Sequence, residues 1–208
     1  ALNAAGINDE DILIISATGT HREQTREEHI ACIGEDLYKR IKIVDHVCTD
    51  TEHLTSMGTT SHGTPVELDS RAIERDHIIL TGGVVYHFLA GFGGGRKCIV
   101  PGIASRETIM KHHSLALNKG MGSGSNPNVC SGNISASNPF HMDMMEAAAM
   151  AQPCFILNVV VDTDFGILRC YAGDYIKAHQ EACKLVDQLY GIELPCEADL
   201  SIATAGGF

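Results

Sequence analysis

The sequence predicts an α/β fold, a Rossmann-like arrangement in which helices cover both faces of a mostly parallel sheet. Short apolar runs such as DILIISATG (residues 11–19) and HIILTGGVV (77–85) are typical of strands buried in a parallel sheet. Segments predicted to be helical alternate with these runs, for example SRETIMKHHSLALN (105–118). Because alternation of strands and helices favours parallel pairing, we expect an α/β domain.

Local signals place the remaining elements. The apolar runs predict strands at residues 11–19, 41–46, 64–68, 77–85, 155–162, 166–173 and 198–206. Helices are predicted from Glu23 to the glycine at 34, and at 70–76, 105–118, from Pro139 onward and 174–190. Asn138 and Pro139 form a good N-cap and first-turn pair. The Gly- and Ser-rich stretch 119–139 is predicted to be a long loop, and such loops are usually functional or mobile.

Composition excludes several classes of protein. A length of 208 residues with 44% hydrophobic residues suits a globular chain with a sizeable core. The formal charge of −11 argues against nucleic acid or an anionic membrane as the main partner, and no apolar run is long enough to span a bilayer. None of the 8 cysteines forms a CxxC pair, and several lie inside apolar runs. We therefore expect reduced thiols and a cytoplasmic location.

The stretch HFLAGFGGGRK (residues 87–97) is the first candidate site. It has glycines at 91, 93, 94 and 95 and then Lys97, directly after a predicted strand. It matches neither the P-loop, which requires Ser or Thr after the lysine, nor the dinucleotide motif GxGxxG. Consecutive backbone N–H groups in such a turn can hold an anion, and ligands bind at the carboxyl ends of strands. A flexible turn with an exposed lysine is the simpler alternative.

Three histidines are candidates for chemistry. His21 and His87 each follow a predicted strand, so two imidazoles at the same rim of a sheet could face one substrate as general bases. His113 shares a helix face with Ile109, at positions i and i+4, so we expect it to face inward as a candidate metal ligand, with His112 off that face. Each histidine is also compatible with an ordinary structural contact.

Five stretches, in order along the chain, carry a resemblance to a known family. They are SATGTHR, GTTSHGTPVEL, GGVVYHFLAGFGGGRKCIVPGIASRETIMKHH, NPFHMDMMEAA and AGDYIKAH. With them, the chain resembles the amino-terminal domain of the nickel-dependent lactate racemase family of 2-hydroxyacid racemases and epimerases. That family uses a nickel pincer nucleotide (pyridinium-3,5-bisthiocarboxylic acid mononucleotide nickel), which the resemblance implies as the cofactor here.

The resemblance also implies roles for individual residues. Lys97 would hold the cofactor, through a covalent bond or a charge pair, and His113 would be a nickel ligand, which suits nickel's use of imidazole with sulfur. His21 and His87 would be the paired acid–base residues on opposite faces of a small 2-hydroxy acid. The remaining residues implied in cofactor binding are Thr20, Arg22, Gly94 and Gly95. Proteins that make and insert the cofactor are the implied partners.

Three departures limit the resemblance. The family commonly has a serine where this chain has Gly93, and its upstream Asp-Arg motif is not in the sequence. The stretch that contributes a substrate-binding glutamine and lysine from a second domain is also not in the sequence. We therefore expect residues 1–208 to be a cofactor-binding amino-terminal domain, truncated at both ends, without its lid domain and inactive alone. The alternatives are a mononuclear metallohydrolase using His21, His87 and His113, and a non-catalytic domain that binds a mononucleotide.

Overall fold

The structure, a computed structural model, describes residues 1–120 and 122–193, together with residues 200 and 202. Apart from those last two residues, the strand predicted at 198–206 lies outside the described part of the chain. Strands are Leu13–Ser16 (β1), Lys42–Asp45 (β2), Leu54–Thr59 (β3), Pro65–Asp69 (β4), Ile79–Gly83 (β5), Tyr86–His87 (β6), Gly91–Phe92 (β7), Phe155–Val161 (β8) and Ile167–Gly173 (β9). Helices are Arg26–Ile33 (α1), Glu35–Arg40 (α2), Ser70–Ile73 (α3), Arg106–Ser114 (α4), Pro139–Met150 (α5) and Lys177–Tyr190 (α6).

The mixed α/β class is confirmed, but the mostly parallel sheet is not. Over the described residues the strands form four small sheets, namely β1-β2, β3-β4, β5-β8-β9 and β6-β7. The pairs β1–β2 and β5–β8 are parallel, whereas β3–β4, β6–β7 and β8–β9 are antiparallel. The physical reason is that short turns, such as residues 162–166, join neighbouring strands into hairpins. A groove of about 440 Å³ lies between β1 and β5.

Capping residues explain where the helices begin. Thr25 accepts a hydrogen bond from the Glu28 N–H, and the Glu28 carboxylate accepts one from the Thr25 N–H, so α1 starts with a capping box. This start lies three residues after the predicted one at Glu23. Ser105 caps α4 by accepting from the Thr108 N–H. Asn138 caps α5 ahead of Pro139, which confirms the prediction at that position.

The main core lies between β4, the segment after Lys97, α5 and β8. Its fully buried members include Leu68, Val100, Phe140 and Ile156. A second cluster lies under α6 and joins Val84 and Val160 to residues of that helix, among them Val186. Because the Lys97 segment is packed between the two clusters, its backbone is held in a fixed position.

Buried His46 connects the first sheet to the start of α4. Its ring contacts the Asp69 carboxylate at 3.0 Å and the Ala104 carbonyl at 2.9 Å, and it is only 1% exposed. The Thr18 hydroxyl donates to the His46 carbonyl at 2.5 Å. These contacts hold the turn after β1 against the residue that precedes α4.

Two further observations concern the cysteines and the helices. In the part of the chain that the structure describes, the cysteines are free thiols. Within the same residues, no helix combines the length and the apolar character needed to cross a membrane.

Candidate active site

Lys97 lies in a short 3-10 helix, Gly95–Cys98, directly after the β6–β7 hairpin. Two buried side chains hold the backbone before it. Asn158, in β8, accepts from the Gly95 N–H at 3.1 Å and donates to the Gly82 carbonyl at 3.0 Å. His179, in α6, contacts the Gly93 carbonyl at 2.8 Å. The loop is therefore fastened to the sheet on one side and to α6 on the other.

The glycines of this loop are required by close packing within the protein. A Cβ atom on Gly94 would lie 2.9 Å from the Gly83 carbonyl oxygen, and one on Gly95 would lie 2.9 Å from the ring of His179. Both residues have positive φ, of 72° and 55°. Gly93 is different, because its φ is not in the left-handed region and its Cβ would meet nothing closer than 3.6 Å. A serine at this position, as in the resembling family, would fit.

His87, Lys97 and His113 lie close enough together for their charges to interact. Burial, followed by the positive charge of Lys97 and then of Arg96, lowers the pKa of His87 to about 4. Burial and then Arg96 lower the pKa of Lys97. Burial is also the main cause that lowers the pKa of His113, and the positive charge of Lys97 lowers it further. The surroundings of these three side chains therefore disfavour further positive charge.

His113 has the hydrogen bonding of a metal ligand. It is partly buried, and its Nδ1–H donates to the Ile109 carbonyl at 2.7 Å, one turn earlier in α4. This bond fixes the tautomer and leaves the lone pair on Nε2 available.

The prediction that His112 lies off the inward face of α4 is wrong. His112 is 0% exposed, and its Nδ1 lies 2.7 Å from the buried carboxylate of Asp143, in α5. Its ring also packs on Phe140, with centroids 3.9 Å apart. The buried face of α4 is formed by Thr108, Ile109 and His112, whereas Leu117 is 63% exposed. The predicted face therefore lies one residue too far along the helix.

His21 lies on the exposed turn after β1. The turn is attached to the Lys97 segment, because the Gly19 N–H donates to the Gly102 carbonyl at 2.9 Å. The structure thus brings His87, Lys97 and His113 within range of one another's charges and places His21 on an exposed turn attached to the same segment.

The two predicted cofactor residues beside His21 are also on the surface. Thr20 is exposed. Arg22 forms a bidentate ion pair with Glu28, at 2.8 and 2.7 Å, and this pair would have to open for Arg22 to bind a ligand.

Sequence reasoning missed three residues that hold the loop, namely Arg96, Asn158 and His179. It also missed Asp143, which pairs with His112 between α4 and α5. Arg96 lies between the glycines and Lys97, and a charged residue in that position was itself a signal. Asp143 and His179 lie in two stretches that carry the family resemblance, NPFHMDMMEAA and AGDYIKAH. Asn158, in the middle of an apolar strand, was the strongest signal, because a buried amide requires partners.

Comparison with known proteins identifies the family. Residues 1–124 match the family described as the lactate racemase N-terminal domain. The chain belongs to this family. The lactate racemase of Lactiplantibacillus plantarum is 39% identical over 200 residues, which cover 96% of this chain and 45% of that protein. The lactate racemase of Thermoanaerobacterium thermosaccharolyticum is 37% identical over 198 residues, covering 95% and 45%. The chain thus spans less than half the length of these relatives.

Solved structures agree with this assignment to the lactate racemase N-terminal domain family. The lactate racemase apoprotein from Thermoanaerobacterium thermosaccharolyticum superposes with a TM-score of 0.79 at 38% identity, covering 86% of this chain and 41% of that one. A Thermotoga maritima protein superposes with a TM-score of 0.68 at 24% identity, covering 85% and 46%, and shares the fold.

Proposed function

We propose that the chain is the cofactor-binding part of a nickel-dependent racemase or epimerase of a small 2-hydroxy acid, such as lactate. The observation that carries the proposal is the cluster of His87, Lys97 and His113 around the glycine loop. Two relatives named lactate racemase, each 37% identical or more over nearly the whole chain, support it.

The residues of the cleft fit a nickel pincer nucleotide. Lys97 is partly buried, and its lowered pKa increases the fraction of neutral, nucleophilic amine available to bond with the cofactor. The free lone pair on His113 Nε2 suits nickel, which accepts imidazole together with sulfur ligands. Among the described residues, no group of three or more His, Cys, Asp or Glu side chains is arranged to hold a metal. A site with one imidazole ligand agrees better with a cofactor that supplies its own donors than with a metallohydrolase centre.

When bound, the cofactor would supply hydride exchange at the α-carbon of the substrate. The protein's own residues would orient the hydroxy acid and move its hydroxyl proton. His87 is uncharged at neutral pH because its pKa is lowered to about 4, so it would meet the substrate hydroxyl as a neutral imidazole and would become cationic only while it holds the hydroxyl proton. His21 would serve the opposite face from the turn after β1. Positioning of the two imidazoles is the main contribution of this part of the protein.

The proposal also covers a second domain, the location of the protein and its partner proteins. Because each matched stretch covers only 45% of a relative, we expect the reaction to need a second domain that closes over the site and selects the 2-hydroxy acid, and residues 1–208 alone to be inactive. The protein would work in the cytoplasm, and proteins that make and insert the cofactor would be its partners.

The test is a Lys97→Ala variant of the longer protein, co-produced with the cofactor-making and cofactor-inserting proteins. We expect loss of both bound nickel and interconversion of lactate enantiomers, measured by metal analysis and chiral chromatography. Lys111→Ala is the matched control, because Lys111 is an exposed lysine on α4. Intact mass should show a sulfur-bearing adduct in the wild type only. Full nickel content and full activity in Lys97→Ala would refute the proposal.

A further inference from the structure

We infer that Arg96 is a positioning residue, which holds the Leu89–Ala90 turn so that the neutral His87 ring carries its proton on Nε2. The inference rests on the proposed function, because the tautomer of His87 matters for catalysis only if His87 acts on the substrate. The arrangement itself is independent of any ligand.

Arg96 is a buried cation with an unusual set of partners. It is only 1% exposed, and over the described residues no carboxylate pairs with it. One guanidinium nitrogen donates to the Ala90 carbonyl at 2.6 Å, and the other terminal nitrogen lies 2.8 Å from His179 Nε2. Its Nε atom is buried without a partner among the described residues. A charge buried in this way is unfavourable for stability alone.

The Ala90 residue that Arg96 holds is also a partner of His87. The Leu89 and Ala90 N–H groups point at His87 Nδ1, at 3.2 and 3.1 Å. Backbone N–H groups only donate, so Nδ1 must be the acceptor and the neutral ring must carry its proton on Nε2. The ring also stacks on Phe88, with centroids 4.8 Å apart, which restricts its rotation. Arg96 therefore acts on the carbonyl of the same residue whose N–H fixes the imidazole.

This arrangement has a consequence for the proposed reaction. A histidine base needs a lone pair facing the substrate, with the proton on its other nitrogen. With Nδ1 occupied by two donors, His87 offers an N–H group at Nε2 and acts first as a hydrogen-bond donor. Accepting a proton at Nε2 requires the ring first to lose its proton there and to take one from water at Nδ1, which the Leu89–Ala90 turn must release. The contact between Arg96 and Ala90 sets how readily that release occurs.

The experiment is nuclear magnetic resonance of the chain labelled with ¹⁵N, at neutral pH. His87 signals are assigned by their loss in His87→Gln. In the wild type we expect a proton on Nε2 and a through-hydrogen-bond coupling between Nδ1 and the amide nitrogen of Leu89 or Ala90. In Arg96→Met the coupling should disappear and the Ala90 amide should exchange with solvent faster, on the order of 100-fold. Arg106→Met, an exposed arginine at the start of α4, should match the wild type.

Two outcomes would overturn the inference. One is a wild-type His87 with its proton on Nδ1, a measurement that needs no variant to fold. The other is a folded Arg96→Met variant that keeps the coupling unchanged. In the cofactor-loaded longer protein, Arg96→Met should lower kcat by on the order of 100-fold with little change in KM, as misplacement of a catalytic group does. Absence of racemase activity in the loaded wild type would refute the proposed function and leave the magnetic-resonance result standing.

Discussion

Replacing single glycines of the Lys97 loop with alanine tests whether the loop is shaped by packing within the protein. Gly95→Ala and Gly93→Ala are a matched pair, because both residues are buried and lie two positions apart. Gly95 has a φ of 55°, and its new Cβ would lie 2.9 Å from the His179 ring. The Cβ of Gly93→Ala would meet nothing closer than 3.6 Å. We expect the first change to destabilise the protein and the second to be tolerated.

The size of the difference follows from two terms. A left-handed conformation costs a residue with a Cβ about 1–2 kcal/mol. Overpacking against His179, whose Nε2 lies 2.8 Å from both an Arg96 nitrogen and the Gly93 carbonyl oxygen, adds about 1–3 kcal/mol. The sum of about 2–5 kcal/mol corresponds to a fall in Tm of about 4–20 °C for a chain of this length. Gly93→Ala should change the free energy of unfolding by less than about 1 kcal/mol, in either direction.

Thermal unfolding followed by circular dichroism measures both variants against the wild type. Equal destabilisation by the two substitutions would refute the reasoning, because it would mean that space and backbone conformation do not distinguish the two positions. A stable Gly95→Ala would equally contradict the contact between the loop and α6.

Three further predictions concern stability. Burial, and then Arg96, lower the pKa of His179 to about 4, so the unfolded chain binds a proton first as the pH falls from 6.5. We expect His179 to contribute about 3 kcal/mol to the stability lost between pH 6.5 and 4, measured by urea unfolding as the difference in pH dependence between the wild type and His179→Gln, since His87 is present in both. Asp143→Asn should lower the free energy of unfolding at pH 7 by about 3–5 kcal/mol. Burial raises the pKa of the Asp143 carboxyl, but hydrogen bonds from His112 and Thr60 outweigh burial and lower the pKa overall. The difference in stability between Asp143→Asn and the wild type should therefore shrink below pH 4, as the wild-type carboxylate becomes protonated. An undiminished difference would contradict this account. Thr25→Ala removes the capping box of α1 and should cost about 1 kcal/mol by chemical denaturation, and an unchanged midpoint would count against the cap.

Local signals predicted the elements well wherever a side chain interacts with its own neighbourhood. Asn138 and Pro139 mark the start of α5 because a cap and a first-turn proline act within one turn. Strand pairing was predicted less well, because it depends on partners distant in sequence. The strand β8 pairs with β5, 76 residues earlier at Leu80 and Ile156, and with its immediate neighbour β9. Alternation of elements along the chain does not distinguish these two kinds of partner.

The candidate site shows the same limit at the level of single side chains. The resemblance placed Lys97 and His113 beside one cleft, and their charges do interact in the structure. Helical periodicity placed His112, which is fully buried, off the inward face, because it considers apolar neighbours and not the Asp143 carboxylate on α5. A buried histidine paired with a buried acid has no apolar signature. Its only signal is the partner itself, 31 residues further along the chain.

The charge of the cleft differs in sign from the charge of the whole chain. A formal charge of −11 argues against anionic partners in general. At the loop, however, Arg96 and Lys97 are adjacent cations, and over the described residues neither pairs with a carboxylate. An anion beside Lys97 would offset this charge, so the proposed site favours a negatively charged ligand. The proposed mononucleotide phosphate and 2-hydroxy acid carboxylate both meet that requirement, and the local positive charge is visible only when local contacts replace net charge.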